Sequence, residues 1–137
     1  MTEESSNSSK IILDCIQCYD PLKDSWTQLP LGRPLARLSC ALYKDHFYMI
    51  SNNASSIFRY DPNTCTLEEW KELHDFNVEF AGLAAFNGKL VISGGQKGST
   101  TLNHMIVIDF QSALVENEVK MKRSRCMHGC VPIDKFG

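Results

Sequence analysis

Long hydrophobic runs are missing from this sequence. Its apolar stretches, such as residues 105–108, are far shorter than the roughly 20 residues of a membrane-spanning helix. Residues 1–10 are polar and serine-rich and lack the apolar core of a signal peptide. We therefore expect a cytoplasmic protein that has no membrane partner.

An excess of positive charge is missing as well. The 137 residues carry 14 Lys and Arg against 16 Asp and Glu, which gives a net charge of −2. This balance offers no electrostatic reason to bind a phosphate backbone, so we do not expect a nucleic-acid partner. The composition, 43% hydrophobic and 22% charged, is that of a globular protein.

Motifs for catalysis and nucleotide binding are also absent. The chain has no Gly-x-Ser-x-Gly and no His-Glu-x-x-His, and its four histidines are scattered without a carboxylate or nucleophile at a suggestive spacing. The segment 94–98 resembles a phosphate loop but lacks the Lys-Ser/Thr pair and a following helix. We therefore predict no catalytic residue and no cofactor.

The six cysteines are expected to be free thiols, because no secretion signal accompanies them. Cys15 and Cys18 have metal-ligand spacing, but strand residues three apart point to opposite faces. Cys126, His128 and Cys130 alternate more favourably and lack a fourth ligand nearby. No metal site is predicted.

The local patterns that are present indicate strands and turns. Residues 47–50, 89–92 and 105–108 are short runs rich in β-branched and aromatic residues. Asn87-Gly88 is the strongest hairpin signal, because a type I′ turn needs positive φ at both central positions. The chain is therefore predicted to be all-β.

These patterns repeat along the chain. The Tyr-Asp-Pro of residues 19–21 recurs 41 residues later at 60–62, and Ile50-Ser51 recurs 42 residues later as Ile92-Ser93. Arg37 recurs 88 residues later, two units on, as Arg125. Periods of this length, each containing about four strand signals, are typical of the blades of a β-propeller.

The order of the features resembles the kelch repeat. Residues 13–26, with a Tyr-Asp-Pro turn and a downstream Trp, match the outer two strands of such a repeat. Residues 86–95, an Asn-Gly hairpin and a strand ending in Gly-Gly, match the inner two. The resemblance covers nearly the whole chain and implies an incomplete kelch-type β-propeller of four-stranded antiparallel blades.

The resemblance also divides the chain. Residues 1–10 would be a polar loop or a disordered N-terminus, followed by a partial propeller of about two and a half blades at 11–137. Its parts would be a half blade at 11–30, blades at 37–71 and 80–120, and the start of a further blade at 121–137.

The repeat residues are expected to be structural. The Trp would pack between neighbouring blades, the glycines would allow a close backbone approach, and Asp-Pro would begin a tight turn. These residues are Tyr19, Asp20, Trp26, Tyr60, Asp61, Trp70, Gly94 and Gly95.

Several positions depart from the pattern, among them Val115 where the first repeat has Trp26. Asn52-Asn53 replaces Gly-Gly, and Phe110 stands where the other repeats have Pro. Trp70 lies ten residues after Tyr60, whereas Trp26 lies seven after Tyr19, so either that turn is longer or Leu67 takes the Trp slot.

The resemblance places candidate binding residues at the mouth of the propeller, where the loops entering each blade meet the loops after the glycine doublet. Arginines there could form bidentate pairs with acidic side chains of a partner, or could be ordinary solvated or blade-bracing residues. The candidates are Arg37, Phe80 and Arg125 at the strand entrances, with Asn52, Asn53, Gln96 and Lys97 in the loops.

The implied function is recognition of a protein or peptide, as in BTB-kelch adaptors of cullin-RING ubiquitin ligases, whose BTB part would belong to a longer parent chain. Two alternatives are an actin-associated or scaffolding kelch protein and, less favoured, a kelch-fold oxidoreductase. Because two and a half blades leave open edges, self-association is also expected.

Overall fold

The computed structural model describes residues 14–35, 38–51, 55–73 and 78–126. None of these residues forms a helix long and apolar enough to cross a membrane. The strands of the described residues are β1 (Cys15–Asp20), β2 (Ser25–Pro30), β3 (Ser39–Tyr43), β4 (His46–Ile50), β5 (Ser56–Asp61), β6 (Thr66–Glu72), β7 (Gly82–Phe86), β8 (Lys89–Ser93), β9 (Gln96–Lys97), β10 (Thr100–Thr101), β11 (His104–Asp109) and β12 (Val115–Lys120).

The strands form antiparallel sheets in chain order. β1 and β2 make a hairpin, β3-β4-β5-β6 make a second sheet, and β7-β8-β11-β12 make a third, with the small hairpin β9-β10 inserted between β8 and β11. The predicted all-β fold of four-stranded antiparallel units is therefore confirmed. Residues 121–126 follow β12 without forming a strand, and the rest of the further blade predicted at 121–137 lies outside the described residues.

Tight turns join the inner strands of both four-stranded sheets. Asn87 and Gly88 have φ of 52° and 71°, as the hairpin prediction requires. Lys44 and Asp45 have φ of 48° and 65° and make the equivalent turn between β3 and β4, although neither is a glycine. An aspartate and a lysine at these positions carry a conformational cost that glycine would not.

The repeated aspartate has the same structural role in all three units. Its Oδ1 accepts a hydrogen bond from a backbone N–H two residues on, in Asp20 (3.0 Å), Asp61 (2.9 Å) and Asp109 (2.8 Å). Asp109 also accepts a hydrogen bond from the Lys89 ammonium at 2.8 Å, which, with the backbone N–H groups of Ser112 and Gln111, holds the pKa of this carboxyl well below its usual value. The turn is thus built by Asp, and the Pro replaced by Phe110 is dispensable.

An aromatic cluster joins the second and third sheets. The Phe110 ring stacks on Tyr43 with centroids 3.9 Å apart, and it lies 4.7 Å from Tyr48 and 5.8 Å from Trp70. Phe110 is 8% exposed. The Ser39 hydroxyl donates to the Ala81 carbonyl at 2.6 Å across the same junction. The residue that departs from the repeat therefore fills the seam between two blades.

A second seam joins the β1-β2 hairpin to the second sheet. Tyr60, Met49 and Leu31 are buried together, and the Tyr60 hydroxyl donates to the Pro30 carbonyl at 2.8 Å. Burial raises the pKa of Tyr60 to about 12, with a smaller contribution from its hydrogen bond to Cys65.

The strand register decides between the two explanations for the Trp spacing. Tyr60 pairs with Leu67 as Tyr19 pairs with Trp26, so the two turns have equal length and Leu67 takes the Trp slot. Leu67 packs in the seam with Tyr60, while Trp70, three residues on, lies on the opposite face in the aromatic cluster.

The expected burial of Trp26 is wrong for this chain. Its side chain is 67% exposed and contacts the Tyr19 ring, 4.9 Å away between centroids. In the second unit the equivalent face is covered by the β1-β2 hairpin, and no element of the described residues lies over the face that carries Trp26. The hairpin itself has the repeat geometry, so the exposure of Trp26 follows from the lack of a packing neighbour among the described residues.

Candidate functional site

The candidate site lies at the end of the third sheet at which β7 and β11 begin and β8 and β12 end. We call this end of the sheet the loop end. Three segments that are distant in sequence meet there: residues 78–81, which lead into β7, the loop 94–103 with its hairpin β9-β10, and residues 121–126. The site exists because the antiparallel order brings their ends to the same side of the sheet.

Backbone hydrogen bonds fix the three segments to one another. Glu79 and Gln96 exchange both of their backbone hydrogen bonds, at 2.9 and 2.7 Å. The Gly95 N–H donates to the Arg125 carbonyl at 2.8 Å, and the Arg125 N–H donates to the Leu102 carbonyl at 3.0 Å. These hydrogen bonds fix the backbone of the loop end, from which the exposed side chains project. We call this backbone the platform.

The glycine doublet is required by this platform, as the sequence predicts for a close backbone approach. Gly94 and Gly95 are buried and have φ of 65° and 103°. A Cβ on Gly95 would lie 2.2 Å from Val78 Cγ1, 3.0 Å from the Glu79 carbonyl oxygen and 3.3 Å from Ala81 Cβ. A residue with a side chain therefore cannot replace Gly95 without moving the segment that enters β7 or the loop that carries Gly95.

Phe80 occupies an unusual backbone conformation at the entrance to β7. Its φ is +59°, in the left-handed region that bulky residues rarely adopt, and its side chain is half-buried. Strained residues of this kind persist where the surrounding structure holds them, and they concentrate at binding sites. The hydrogen bonds of the adjacent Glu79 to Gln96 supply that constraint.

The structure brings together four of the seven candidate binding residues. Phe80, Gln96, Lys97 and Arg125 all lie at the loop end, with Lys97 and Arg125 exposed and Gln96 half-buried. Neither Lys97 nor Arg125 forms an ion pair with any residue that the structure describes. The other three candidates, Arg37, Asn52 and Asn53, lie outside the described residues, and their role stays a prediction.

The sequence prediction missed further cations at the loop end. Lys120, Lys122 and Arg123 are exposed and precede Arg125 in the segment that leaves β12. The signal was present as a run of four cationic residues between 120 and 125. Only the fold shows that this run lies beside the loop that carries Lys97.

The candidate metal-ligand cluster predicted from the sequence falls partly on the same surface, at Cys126. Cys126 is a free thiol whose sulfur lies 3.9 Å from the Thr101 hydroxyl. Among the described residues, no group of three or more His, Cys, Asp and Glu side chains is placed to hold a metal ion. His128 and Cys130, the other members of the candidate cluster, lie outside that part of the chain.

Comparison with known proteins places these features in a family context. No family model matches the sequence. The chain is 32% identical to Kelch-like protein 35 of Mus musculus over 125 residues, covering 88% of this chain and 21% of that protein. It is 31% identical to Kelch-like protein 24a of Danio rerio over 139 residues, covering 98% of this chain and 22% of the relative. Kelch-like protein 30 of Homo sapiens matches at 26% over 94 residues, covering 66% of this chain and 16% of the relative.

Four-stranded antiparallel units that repeat along the chain and pack through apolar seams define a segment of a β-propeller. The matches to several Kelch-like proteins support a kelch-repeat segment, and the prediction of a partial kelch-type propeller is confirmed. The similarity also supports a protein-interaction module. The chain spans about a fifth of the length of Kelch-like protein 35 and of Kelch-like protein 24a.

Proposed function

We propose that the chain recognises a protein partner through its loop end, as the substrate-binding part of a BTB-kelch adaptor of a cullin-RING ubiquitin ligase. The observation that carries the proposal is the convergence of Phe80, Gln96, Lys97 and Arg125 from three distant segments onto one hydrogen-bonded platform. A fixed backbone beneath exposed side chains suits recognition, because little conformational entropy is lost when the partner binds.

The chemistry at this surface favours a partner with exposed carboxylates. Arg125 presents a planar guanidinium that can pair with a carboxylate through two parallel hydrogen bonds, and Lys97 adds a mobile positive charge. Since neither has an ion-pair partner among the described residues, binding need not break an existing salt bridge. On this proposal the chain acts by binding and is not an enzyme.

The ligase role would belong to a longer protein. The matched relatives are several times longer than this chain, which leaves room in such a protein for a cullin-binding part. In that arrangement the loop end would select the protein to be ubiquitinated, and the remaining part would bind the ligase in the cytoplasm.

The recognition proposal is tested by capturing partners on the immobilised chain and measuring the affinity of the purified partner for substituted chains. Arg125→Ala should weaken binding by about 1–3 kcal/mol if the guanidinium contacts the partner. Lys44→Ala, an exposed cation in the β3-β4 turn, serves as the matched control and should leave the affinity unchanged. Equal effects of both substitutions would contradict binding at the loop end.

The ligase proposal needs a separate experiment on the longer protein. Immunoprecipitation of the parent should recover a cullin, and deletion of the segment 14–126 should abolish partner recovery while the cullin remains. Recovery of actin filaments in place of a cullin would favour the scaffolding alternative, and loss of both binding activities on deletion would contradict the division of labour proposed here.

Self-association is a second proposal, and it follows from the exposed face of the β1-β2 hairpin. Trp26, Tyr19 and Leu22 are 67%, 43% and 95% exposed. The equivalent face of the second unit, carrying Tyr60 and Leu67, is buried against a neighbouring unit. An unfilled apolar face of this type is expected to associate with another propeller unit, including one from a second copy of the chain.

A further inference from the structure

The cationic residues of this chain are concentrated at one place. Four of its 14 Lys and Arg residues fall within the six residues 120–125, a segment without Asp or Glu. Outside this segment the chain carries 10 cationic residues against 16 acidic ones. Outside the basic segment 120–125, the chain therefore carries a net charge of −6. All four cations are exposed: Lys120, Lys122, Arg123 and Arg125.

Backbone hydrogen bonds hold the basic segment against the loop that follows the glycine doublet. The Met121 N–H donates to the Asn103 carbonyl at 2.6 Å, and the Arg125 N–H donates to the Leu102 carbonyl at 3.0 Å. The Arg125 carbonyl accepts from Gly95, two residues before the exposed Lys97. The basic segment thus runs beside the loop that carries Lys97, and we call the cations of these two segments the basic strip: Lys97, Lys120, Lys122, Arg123 and Arg125.

The positive charge of the strip is not neutralised within the described residues. Elsewhere on the surface, Lys89 pairs with Asp109 and Glu116, and Arg59 pairs with Glu68. None of the five strip residues forms an ion pair in the part of the chain that the structure describes. Two acidic residues lie close to the strip in the chain or through backbone pairing: Glu118, two positions before Lys120, and Glu79, whose backbone pairs with Gln96. Holding like charges together costs stability, so an anionic partner would relieve the repulsion.

We infer that the basic strip binds a short acidic segment of the protein partner, an extended peptide with several Asp or Glu residues. The inference deepens the proposed function and rests on it for the identity of the loop end as the binding surface. Two arginines can pair with carboxylates in bidentate fashion, and three lysines add positive charge on flexible stems.

The size of the strip favours a peptide over larger polyanions. Six extended residues span at most about 20 Å, which matches a peptide of similar length. A nucleic-acid duplex or an anionic vesicle would also face the acidic remainder of the chain, which would repel it. A short peptide can contact the strip alone.

The direct test measures the binding of a fluorescently labelled 12-residue peptide of alternating Glu and Ser to the full chain by fluorescence anisotropy at low salt. Lys120→Gln with Lys122→Gln should weaken peptide binding by about five-fold or more, since each exposed pair contributes a modest amount. The matched control, Lys23→Gln with Lys44→Gln, removes the same charge from the first two hairpin turns and should change the affinity less than about two-fold.

Ser124→Asp provides a second variant that removes no cation. It places a negative charge between Arg123 and Arg125 and should weaken peptide binding, whereas Ser124→Asn should not. Circular dichroism establishes that each variant is folded. Binding should also weaken as salt is raised from 50 to 200 mM, because exposed charges are screened over a shorter distance.

Several results would overturn the inference. These are equal weakening by the strip and control pairs, no binding of the acidic peptide at low salt, and equal or tighter binding of an oligonucleotide or of phosphatidylserine vesicles. Because the peptide assay uses no captured partner, its failure is separate from failure of the proposed function. A partner that depends on Arg125 while the peptide does not bind would leave recognition at the loop end intact and refute the acidic chemistry.

Discussion

Gly95 is the residue on which the geometry of the loop end depends, and Gly95→Ala tests that dependence. The substituted Cβ would lie 2.2 Å from Val78 Cγ1 and 3.0 Å from the Glu79 carbonyl oxygen. The Val78 side chain can rotate, but the carbonyl belongs to the backbone that pairs with Gln96. The added methyl group must therefore displace the segment entering β7 or the loop itself.

The expected cost has two parts. An Ala at φ near +103° carries a conformational penalty of about 1–2 kcal/mol. Overpacking against Val78 and the Glu79 carbonyl adds about 1–3 kcal/mol. Replacing Gly also lowers the entropy of the unfolded chain, which returns a little under 1 kcal/mol. We expect Gly95→Ala to lower the free energy of unfolding by about 1–4 kcal/mol.

Gly98→Ala is the matched control. Gly98 has φ of +63° and no atom within 4 Å of an added Cβ, so only the conformational cost and the same unfolded-state effect apply. Urea unfolding followed by tryptophan fluorescence and by circular dichroism would measure both variants. If Gly95→Ala costs no more than Gly98→Ala, the close packing at the loop end is refuted.

Three further substitutions test the seams. Phe110→Ala should lower the free energy of unfolding by about 3–5 kcal/mol, because the ring is buried between the two sheets. The control Phe86→Ala, at a 37% exposed position, should lower it by less than about 1 kcal/mol. Similar losses for the two variants would contradict the aromatic seam. Trp26→Ala should leave the free energy of unfolding within about 1 kcal/mol of wild type, because the side chain is exposed. The same substitution should reduce any self-association seen by light scattering. A larger loss of stability in the monomer would mean that the side chain is buried. Tyr60→Phe should remove a pH dependence of the stability. The pKa of Tyr60 is raised to about 12 from 10.0 in the unfolded chain, so its contribution to stability is complete below pH 10 and is lost as the pH rises through 12. If the stabilities of wild type and variant change in parallel with alkaline pH, the burial of Tyr60 is contradicted.

Much of the fold could be predicted because the repeat residues act locally. Asn87-Gly88 forms its turn through backbone preference alone, and the repeated Asp caps its own turn two residues on. Such interactions are encoded within a few residues and recur at the period of the repeat. The sequence therefore predicted the sheets and the family to which their pattern is similar.

Packing between units was harder to predict because it depends on neighbours. The spacing left open whether the second turn is longer or Leu67 takes the Trp slot. The register gives Leu67 the position equivalent to Trp26, because Tyr60 pairs with Leu67 as Tyr19 pairs with Trp26. Phe110 looked like a lost proline and is the centre of a seam. Spacing alone settles neither outcome, since both depend on which face of a sheet packs against the next sheet.

The candidate site was predicted in part for the same reason. The glycine doublet and the strand entrances were found from the repeat, and the structure brings Phe80, Gln96, Lys97 and Arg125 to the loop end. The basic strip was missed because Lys97 and the segment 120–125 are more than twenty residues apart. The hydrogen bonds that join residues 95, 102 and 103 to residues 121 and 125 bring the two segments together only in the fold.

Amide hydrogen exchange of the chain, with and without a partner captured on it, tests the central claim most directly. Recognition through the loop end predicts slower exchange in residues 94–103 and 121–126 when the partner is bound, with no change in the turns at 44–45 and 87–88. Slower exchange confined to those turns or to β1 and β2, with the loop end unchanged, would contradict it.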